Sequence, residues 1–175
     1  KELAAANVSA DKIPVVAFSV GEEELSGLDT SNLVGHLAAW NYFQSADSEI
    51  NDEFIKAWKA RMGNKRVTND PMEAHYIGFN MWVKAVEKAG TTETMKVVEA
   101  LERGISQDGP SGVVTMDPKS HHGSHTIFLI EVGKGHKVSI PKIWKDIKPY
   151  WLGESGCDLA NKADYSQYTP SNPPS

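Results

Sequence analysis

Residues 67–90 read VTNDPMEAHYIGFNMWVKAVEKAG, and the spacing of their apolar side chains predicts one long amphipathic helix. Asp70 is expected to cap its start, with Pro71 at the first helical position and Glu73 completing a capping box. Gly90 stands where a helix commonly ends. Spacings of three and four residues predict one buried face, formed by Met72, Tyr76, Phe79, Val83 and Val86. Such a face is typical of a helix that packs on a large partner.

Two apolar runs before this helix predict buried strands. Residues 13–18 (IPVVAF) are rich in β-branched side chains, which favours a parallel strand, and residues 19–21 then turn into a helix that begins near Glu22. Residues 33–43 (LVGHLAAWNYF) predict a second strand followed by a crossing segment. A strand, a tight turn and a helix start form half of a βα unit, which indicates an α/β fold.

The rest of the chain is predicted from turn residues and from alternation. A helix capped by Asn51 or Asp52 precedes the long one, and another helix is expected at 92–103. The strand–turn–strand pattern at 126–140 predicts a hairpin. Beyond Trp144 the apolar pattern fades, which predicts a surface-draped or partly disordered tail.

Composition excludes several classes of protein. The net charge of −5, with no basic cluster, argues against a nucleic-acid partner. Cys157 is the only cysteine, so no internal disulfide can form. No apolar run approaches the ~20 residues of a membrane-spanning helix, and the sequence shows no signal-peptide pattern. Residues 1–4 (KELA) resemble the middle of a helix, so we expect the chain to be a fragment or processed product of a longer protein.

No catalytic motif stands out, and we expect the chain not to be an enzyme. The GxSxG, GxGxxG and GxxxxGK[ST] motifs are all missing, and the consecutive residues 22–24 (EEE) fan around a helix instead of converging. One enzymatic alternative stays open, a metal-dependent hydrolase. Its metal ligands would be Asp117, His121, His122 and His125. Because their spacing matches neither HExxH nor a CxxC pair, we expect no metal and no cofactor.

Four segments carry a resemblance to a known family. They are residues 14–25 (PVVAFSVGEEEL), 35–45 (GHLAAWNYFQS), 66–90 (RVTNDPMEAHYIGFNMWVKAVEKAG) and 110–122 (PSGVVTMDPKSHH). In order and spacing they resemble the C-terminal half of the urea- and short-chain-amide-binding members of the periplasmic binding protein superfamily. These members belong to type 1, which includes the branched-chain amino-acid receptors. The resemblance covers approximately residues 1–145.

The resemblance implies an α/β fold that is part of a two-lobed type 1 periplasmic binding protein. A parallel sheet flanked by helices and a C-terminal hairpin are then expected. The implied division is 1–44 as a βα segment of the second lobe with a hinge strand, 45–108 as a helical segment of the first lobe, 109–145 as returning strands and hairpin, and 146–175 as a tail. The long helix would lack the sheet contributed by an N-terminal half. We therefore expect that half or a second copy of the chain to cover it, or the helices to fold back onto the remaining strands.

The resemblance also implies a function, a solute-binding component of an ABC-type importer in the periplasm. Its lobes would close on urea or a short-chain amide, and a membrane permease would receive the closed form. The implied ligand-binding residues are Ser19, Val20, Gly21, Glu22, Trp40 and Tyr42. Two alternatives to these ligand contacts stay open. The glutamates at the helix start could merely complement the helix dipole, and the two aromatic side chains could belong to the ordinary core packing. A cytoplasmic amide sensor with the same fold is the alternative function.

Overall fold

The computed structural model describes residues 2–149 of the 175-residue chain, so most of the predicted tail lies outside the described residues. Its helices are α1 (Glu2–Ala5), α2 (Glu22–Ser26), α3 (Glu49–Met62), α4 (Asp70–Ala89) and α5 (Thr94–Leu101), with short 3₁₀ turns at Thr30–Asn32 and Lys134–His136. Its strands are β1 (Val16–Ala17), β2 (Leu37–Trp40), β3 (Ser106–Gly109), β4 (Gly112–Met116), β5 (Gly123–Val132) and β6 (Val138–Ile147). Among the described residues, no helix combines the length and the apolar character needed to cross a membrane.

The strands lie in the order β1-β2-β5-β4-β3, and β6 also pairs with β5. The predicted α/β class is therefore confirmed, but parallel pairing is confined to β1 and β2, and the other pairs are antiparallel. Short connections explain this difference, because only antiparallel neighbours can be joined by a two-residue turn such as residues 110–111. The predicted hairpin is confirmed in β5 and β6, and β6 continues to Ile147.

The apolar side chains form two separate clusters. The first, which we call the helical core, joins α4 and α5 to β4 and consists of Ile77, Met81, Ala85, Val97, Ala100, Ile105 and Val114. The second, the sheet core, consists of Ala38, Phe43, Ala46, Phe128 and Ile130. Residues 41–48, here called the crossover segment, lead from β2 to α3, and Tyr42 and Gln44 of this segment bind Thr68 just before α4. Strand β5 connects the two clusters, because Ser124 pairs with β4 and Ile130 pairs with β2.

The long helix forms as predicted, but its cap lies one residue earlier. Asn69, not Asp70, is the N-cap, and its side-chain oxygen accepts a hydrogen bond from the backbone N–H of Met72 at 3.1 Å. Pro71 lies in the first turn, and Gly90 ends the helix in the left-handed conformation with φ of 66°.

The buried face of α4 is not the face that the periodicity predicts. The buried side chains are those of Glu73, Ile77, Met81 and Ala85, at spacings of four residues. The predicted face is half-buried or open, and Phe79 retains 60% of its surface. Helix α4 carries apolar residues on two sides, and α5 and β3 cover only one of them. Tyr76, Phe79 and Trp82 form the outer face, on which the rings of Phe79 and Trp82 stack at 6.0 Å.

Gly109 allows the turn between β3 and β4 to lie against α4. A Cβ atom there would lie 2.5 Å from Cδ1 and 2.9 Å from Cγ1 of the buried Ile77. We expect Gly109→Ala to lower the free energy of unfolding by about 1–3 kcal/mol through overpacking, measured by urea denaturation. Gly78→Ala is the matched control, because Gly78 lies in α4 with open space around it and should gain up to about 1 kcal/mol. Equal stability of the two variants would contradict this account.

Candidate ligand-binding site beside the crossover segment

The predicted ligand-facing turn follows β1 and lies beside the end of β2. Ser19 is exposed, Val20 is half-buried and Gly21 is buried. A Cβ atom on Gly21 would lie 3.9 Å from Cζ3 of Trp40 and 3.9 Å from Cδ1 of Phe43. The structure therefore brings Gly21 and Trp40 together, as the resemblance implies. Trp40 keeps part of its surface open at this point.

Two of the predicted contacts have polar groups that bind within the chain. The backbone N–H of Gly21 donates to Oε2 of Glu24 at 2.7 Å, which caps the short helix α2. The Glu22 carboxylate accepts hydrogen bonds from the backbone N–H groups of Gln44 and Ser45, at 3.1 and 2.8 Å. The N–H of Gly21 and the carboxylate of Glu22 are thus already hydrogen-bonded within the chain, and their predicted ligand contacts stay predictions. Glu22 ties α2 to the crossover segment.

Tyr42 packs in the interior, which disfavours a ligand contact for this side chain, and the contact stays a prediction. It retains 1% of its surface, and its ring meets Phe54 edge-on at 6.1 Å. Its hydroxyl donates to Oδ1 of Asn51 at 2.8 Å and lies 2.7 Å from Oγ1 of Thr68. Burial raises the pKa of the Tyr42 hydroxyl, which therefore keeps its proton. Alternation along the strand end cannot reveal these partners, because they come from α3 and from the segment before α4.

The same buried groups hold the crossover segment in place. The Asn51 amide donates to the carbonyl oxygens of Gln44 at 2.9 Å and Ala46 at 2.6 Å. The Gln44 side chain accepts from the backbone N–H of Thr68 at 3.0 Å. The start of α3, the start of α4 and the crossover segment are thus connected by hydrogen bonds among buried or half-buried groups.

Two carboxyl groups lie buried beside this network. Oε1 of Glu73, which retains 1% of its surface, accepts from the backbone N–H of Ser111 at 3.1 Å and from its hydroxyl at 2.6 Å. The predicted capping-box role of Glu73 is therefore replaced by a contact to the β3–β4 turn. Desolvation raises the pKa of Glu73 to about 7, although Ser111 opposes the shift. Desolvation also raises the pKa of Asp70 to about 6, although hydrogen bonds from the backbone N–H groups of Tyr42 and Asn41 oppose this shift.

The sequence gives no sign of a further contact, between Glu23 of α2 and the segment just before α4. Oε2 of Glu23 accepts a short hydrogen bond from the Asn69 amide, and its Oε1 lies 3.6 Å from Nη2 of Arg66. Glu23 and Asn69 are 46 positions apart, so no local pattern signals their contact.

Two side chains of the alternative metal site, Asp117 and His121, bind other groups of the chain. Oδ1 of Asp117 accepts hydrogen bonds from Lys119 and Ser120, and Nε2 of His121 lies 2.8 Å from Oε1 of Glu102. Within residues 2–149, no three histidine, cysteine or acidic side chains lie close enough to hold a metal ion.

Two cores joined by a crossover, with a turn and an aromatic ring beside it, are typical of binding domains that hold a small molecule between lobes. A family model described as periplasmic binding protein domain matches residues 1–149. The chain belongs to that family.

Individual relatives agree in fold. Over 114 residues the chain is 32% identical to Leu/Ile/Val-binding protein homolog 6 of Brucella abortus (strain 2308). The aligned stretch covers 65% of this chain and 29% of that protein. An amino acid ABC transporter substrate-binding protein from Pseudomonas fluorescens Pf-5 has a TM-score of 0.76 at 18% identity, over 90% of this chain and 43% of that one. A solute-binding protein from Rhodopseudomonas palustris HaA2, in complex with p-hydroxybenzoic acid, has a TM-score of 0.73 at 21% identity, over 87% and 42%. The chain spans less than half the length of these relatives.

The raised pKa of Glu73 predicts a pH-dependent stability. Its folded-state pKa of about 7 lies above the ordinary value of 4.5, so the folded chain binds this proton more tightly than the unfolded chain. That stabilisation is complete below pH 4.5 and is lost as the pH rises through about 7, a change of about 3 kcal/mol.

We therefore expect Glu73→Gln to remove most of this dependence and to exceed the wild type in stability at about pH 8. The glutamine side chain would keep an acceptor for Ser111. Urea denaturation across the pH range measures the effect, with the exposed Glu87→Gln as the charge-matched control. Parallel pH profiles for wild type and Glu73→Gln would contradict the assigned pKa shift.

The buried hydroxyl of Tyr42 predicts a structural effect of its removal. Tyr42→Phe leaves the Asn51 and Thr68 side chains without that partner, so we expect a loss of about 1–3 kcal/mol in the free energy of unfolding. Tyr76→Phe is the control, since that residue is exposed, and it should change stability by less than about 0.5 kcal/mol. A stability loss no larger than that of the control would contradict the structural role of the Tyr42 hydroxyl.

Proposed function

We propose that this chain is part of the solute-binding component of an ABC-type importer and that it contributes one side of the ligand cleft. The observation that carries the proposal is the turn at 19–21 lying against Trp40, beside the crossover segment between two separate cores. The names of the Brucella, Pseudomonas and Rhodopseudomonas proteins support the transport class. The proposed protein acts by binding alone, without catalysis, in the periplasm, and delivers its solute to a membrane permease.

The ligand would meet a small set of groups on this side of the cleft. The Ser19 hydroxyl is exposed and makes no hydrogen bond within residues 2–149. Val20 offers a half-buried apolar side chain, and Trp40 offers part of its ring. Glu22 and the N–H of Gly21 act indirectly, because they hold the turn and α2 in place.

The charge near the turn favours a neutral ligand. Three carboxylates, those of residues 22–24, occupy the first turn of α2. Within residues 2–149, the only ion pair that these carboxylates form is the one between Glu23 and Arg66, at 3.6 Å. A carboxylate ligand would be repelled here, whereas urea or a short-chain amide carries no charge. Such a ligand has N–H donors and a carbonyl, and each unmatched group would cost about 1–3 kcal/mol. The resemblance of residues 66–90 supports the same ligand class.

The outer face of α4 supports a companion half. Tyr76, Phe79 and Trp82 are exposed on a helix whose opposite side is already covered. Covering large apolar side chains is worth about 1.5–3 kcal/mol each, so this face favours association. We propose the N-terminal half of the same receptor as the partner, with self-association as the alternative. The net charge of −5 supports no nucleic-acid partner.

Isothermal calorimetry on the chain joined to its natural upstream sequence tests this function. We expect binding of urea or acetamide and weak or no binding by the 175-residue chain alone. Leucine and p-hydroxybenzoate complete the panel, and tight binding of either in place of the amides would overturn the proposed ligand class.

A single substitution tests the site itself. We expect Trp40→Ala to weaken binding of the preferred solute by roughly 30-fold or more, because an aromatic wall of the cleft is lost. Trp144→Ala on β6 is the matched control and should leave the affinity unchanged, since this partly exposed tryptophan lies beside Lys142 and not beside the turn. Equal affinities of both variants would remove Trp40 from the site.

A further inference from the structure

Glu23 is the glutamate of α2 that reaches the start of α4. Glu24 caps its own helix, and Glu22 binds the crossover segment. Glu23 instead accepts a hydrogen bond from the Asn69 amide and has Arg66 at 3.6 Å.

Asn69 takes part in two interactions at once. Its Oδ1 caps α4 by accepting from the backbone N–H of Met72, and its Nδ2 donates to Glu23. The cap of a 20-residue helix is therefore joined directly to the first turn of α2. Hydrogen bonds to a charged acceptor are among the stronger ones, yet the Glu23 side chain is 28% exposed. Water can replace the contact, so it can open without leaving a buried charge.

The contact connects two bodies of the molecule, by which we mean the elements around the sheet core and the elements around the helical core. Val20 packs against the sheet core just before α2, whereas Ile77 and Met81 of α4 belong to the helical core. The two bodies are also linked through β5 and through the crossover segment, which binds Glu22 on one side and Thr68 on the other. Within residues 2–149, Glu23 makes the only side-chain hydrogen bond and ion pair that join α2 directly to residues 66–69. Separation of Glu23 from Asn69 would therefore leave the turn at 19–21 held to the start of α4 only indirectly, through the crossover segment and β5.

We propose that Glu23 and Asn69 form a latch that holds the proposed ligand-facing turn against the start of α4 and so sets the width of the cleft. Glu23 is then a positioning residue for ligand binding. The latch itself is a property of this chain, and only its effect on binding rests on the proposed function.

Asn69→Asp breaks the latch and keeps the cap. Aspartate caps helices as well as asparagine does, but its second oxygen would face the Glu23 carboxylate without a donor. Adding Glu23→Gln restores the hydrogen bond in the opposite direction, because the amide N–H of the new glutamine can donate to the new aspartate carboxylate. Glu87→Gln, on the exposed side of α4, is the charge control. Glu23→Ala removes the latch without touching the cap, and so tests the proposal independently should Asn69→Asp fold poorly.

Electron-spin distance measurements on the 175-residue chain detect the opening. Labels at Ser31→Cys and Lys88→Cys, both exposed positions, report on the two bodies in a Cys157→Ser background. We expect a second population at a longer label-to-label distance in Asn69→Asp and in Glu23→Ala. The ratio of this population to the one at the wild-type distance should rise by roughly tenfold or more. The double variant Glu23→Gln/Asn69→Asp should return to the wild-type distribution. Unchanged distances in both latch-breaking variants, or no recovery in the double variant, would overturn the latch.

Acetamide binding, measured on the chain with its upstream half, separates the latch from the proposed function. Weaker binding by Asn69→Asp, recovered in the double variant, supports the positioning role. Equal acetamide affinity of wild type and Asn69→Asp, despite altered distances, overturns that role. If no variant binds acetamide while the distances change as expected, the latch is supported and the proposed ligand class fails.

Discussion

The hydroxyl of Tyr42 joins the crossover segment to the starts of α3 and α4, and the arrangement around it depends on its hydrogen bonds. It contacts Asn51 at the start of α3 and Thr68 just before α4, and all three side chains are buried. Loss of any one partner would leave a polar group in a dry environment, at a cost of about 1–3 kcal/mol. A fully satisfied buried network also favours one arrangement over others. The crossover segment can therefore serve as a fixed reference for both sides of the proposed cleft.

Carboxyl groups surround this network and differ in how far they are buried. Glu73 is enclosed, bound to Ser111, and has its pKa raised to about 7, so it favours the neutral form. Glu22 is half-buried and binds two backbone N–H groups of the crossover segment. Glu23, which bridges α2 and the start of α4, keeps part of its side chain open to solvent. The interior contacts are thus costly to break, whereas the outer one can exchange with water.

Membership in the periplasmic binding protein domain family agrees with a division into two cores. The proposed solute would bind between them, on a side where acidic residues of α2 disfavour an anion. The outer aromatic face of α4 favours association with a companion half, because its large apolar side chains are exposed. Both arguments concern surfaces that this chain presents, namely the turn at 19–21 with Trp40 and the outer face of Tyr76, Phe79 and Trp82.

The sequence by itself determined the elements whose signals are local. Helix α4, its end at Gly90 and the β5–β6 hairpin were predictable, because caps, periodicity and turn residues act over a few positions. The buried face of α4 was not, since α4 is apolar on two sides and only the docking of α5 and β3 selects one of them. Trp40 and Tyr42 look equivalent in sequence, yet Trp40 packs half-buried against the sheet core, whereas the Tyr42 hydroxyl finds buried polar partners that come from distant segments. The Glu23–Asn69 contact likewise depends on how two bodies approach each other, which only the tertiary structure decided.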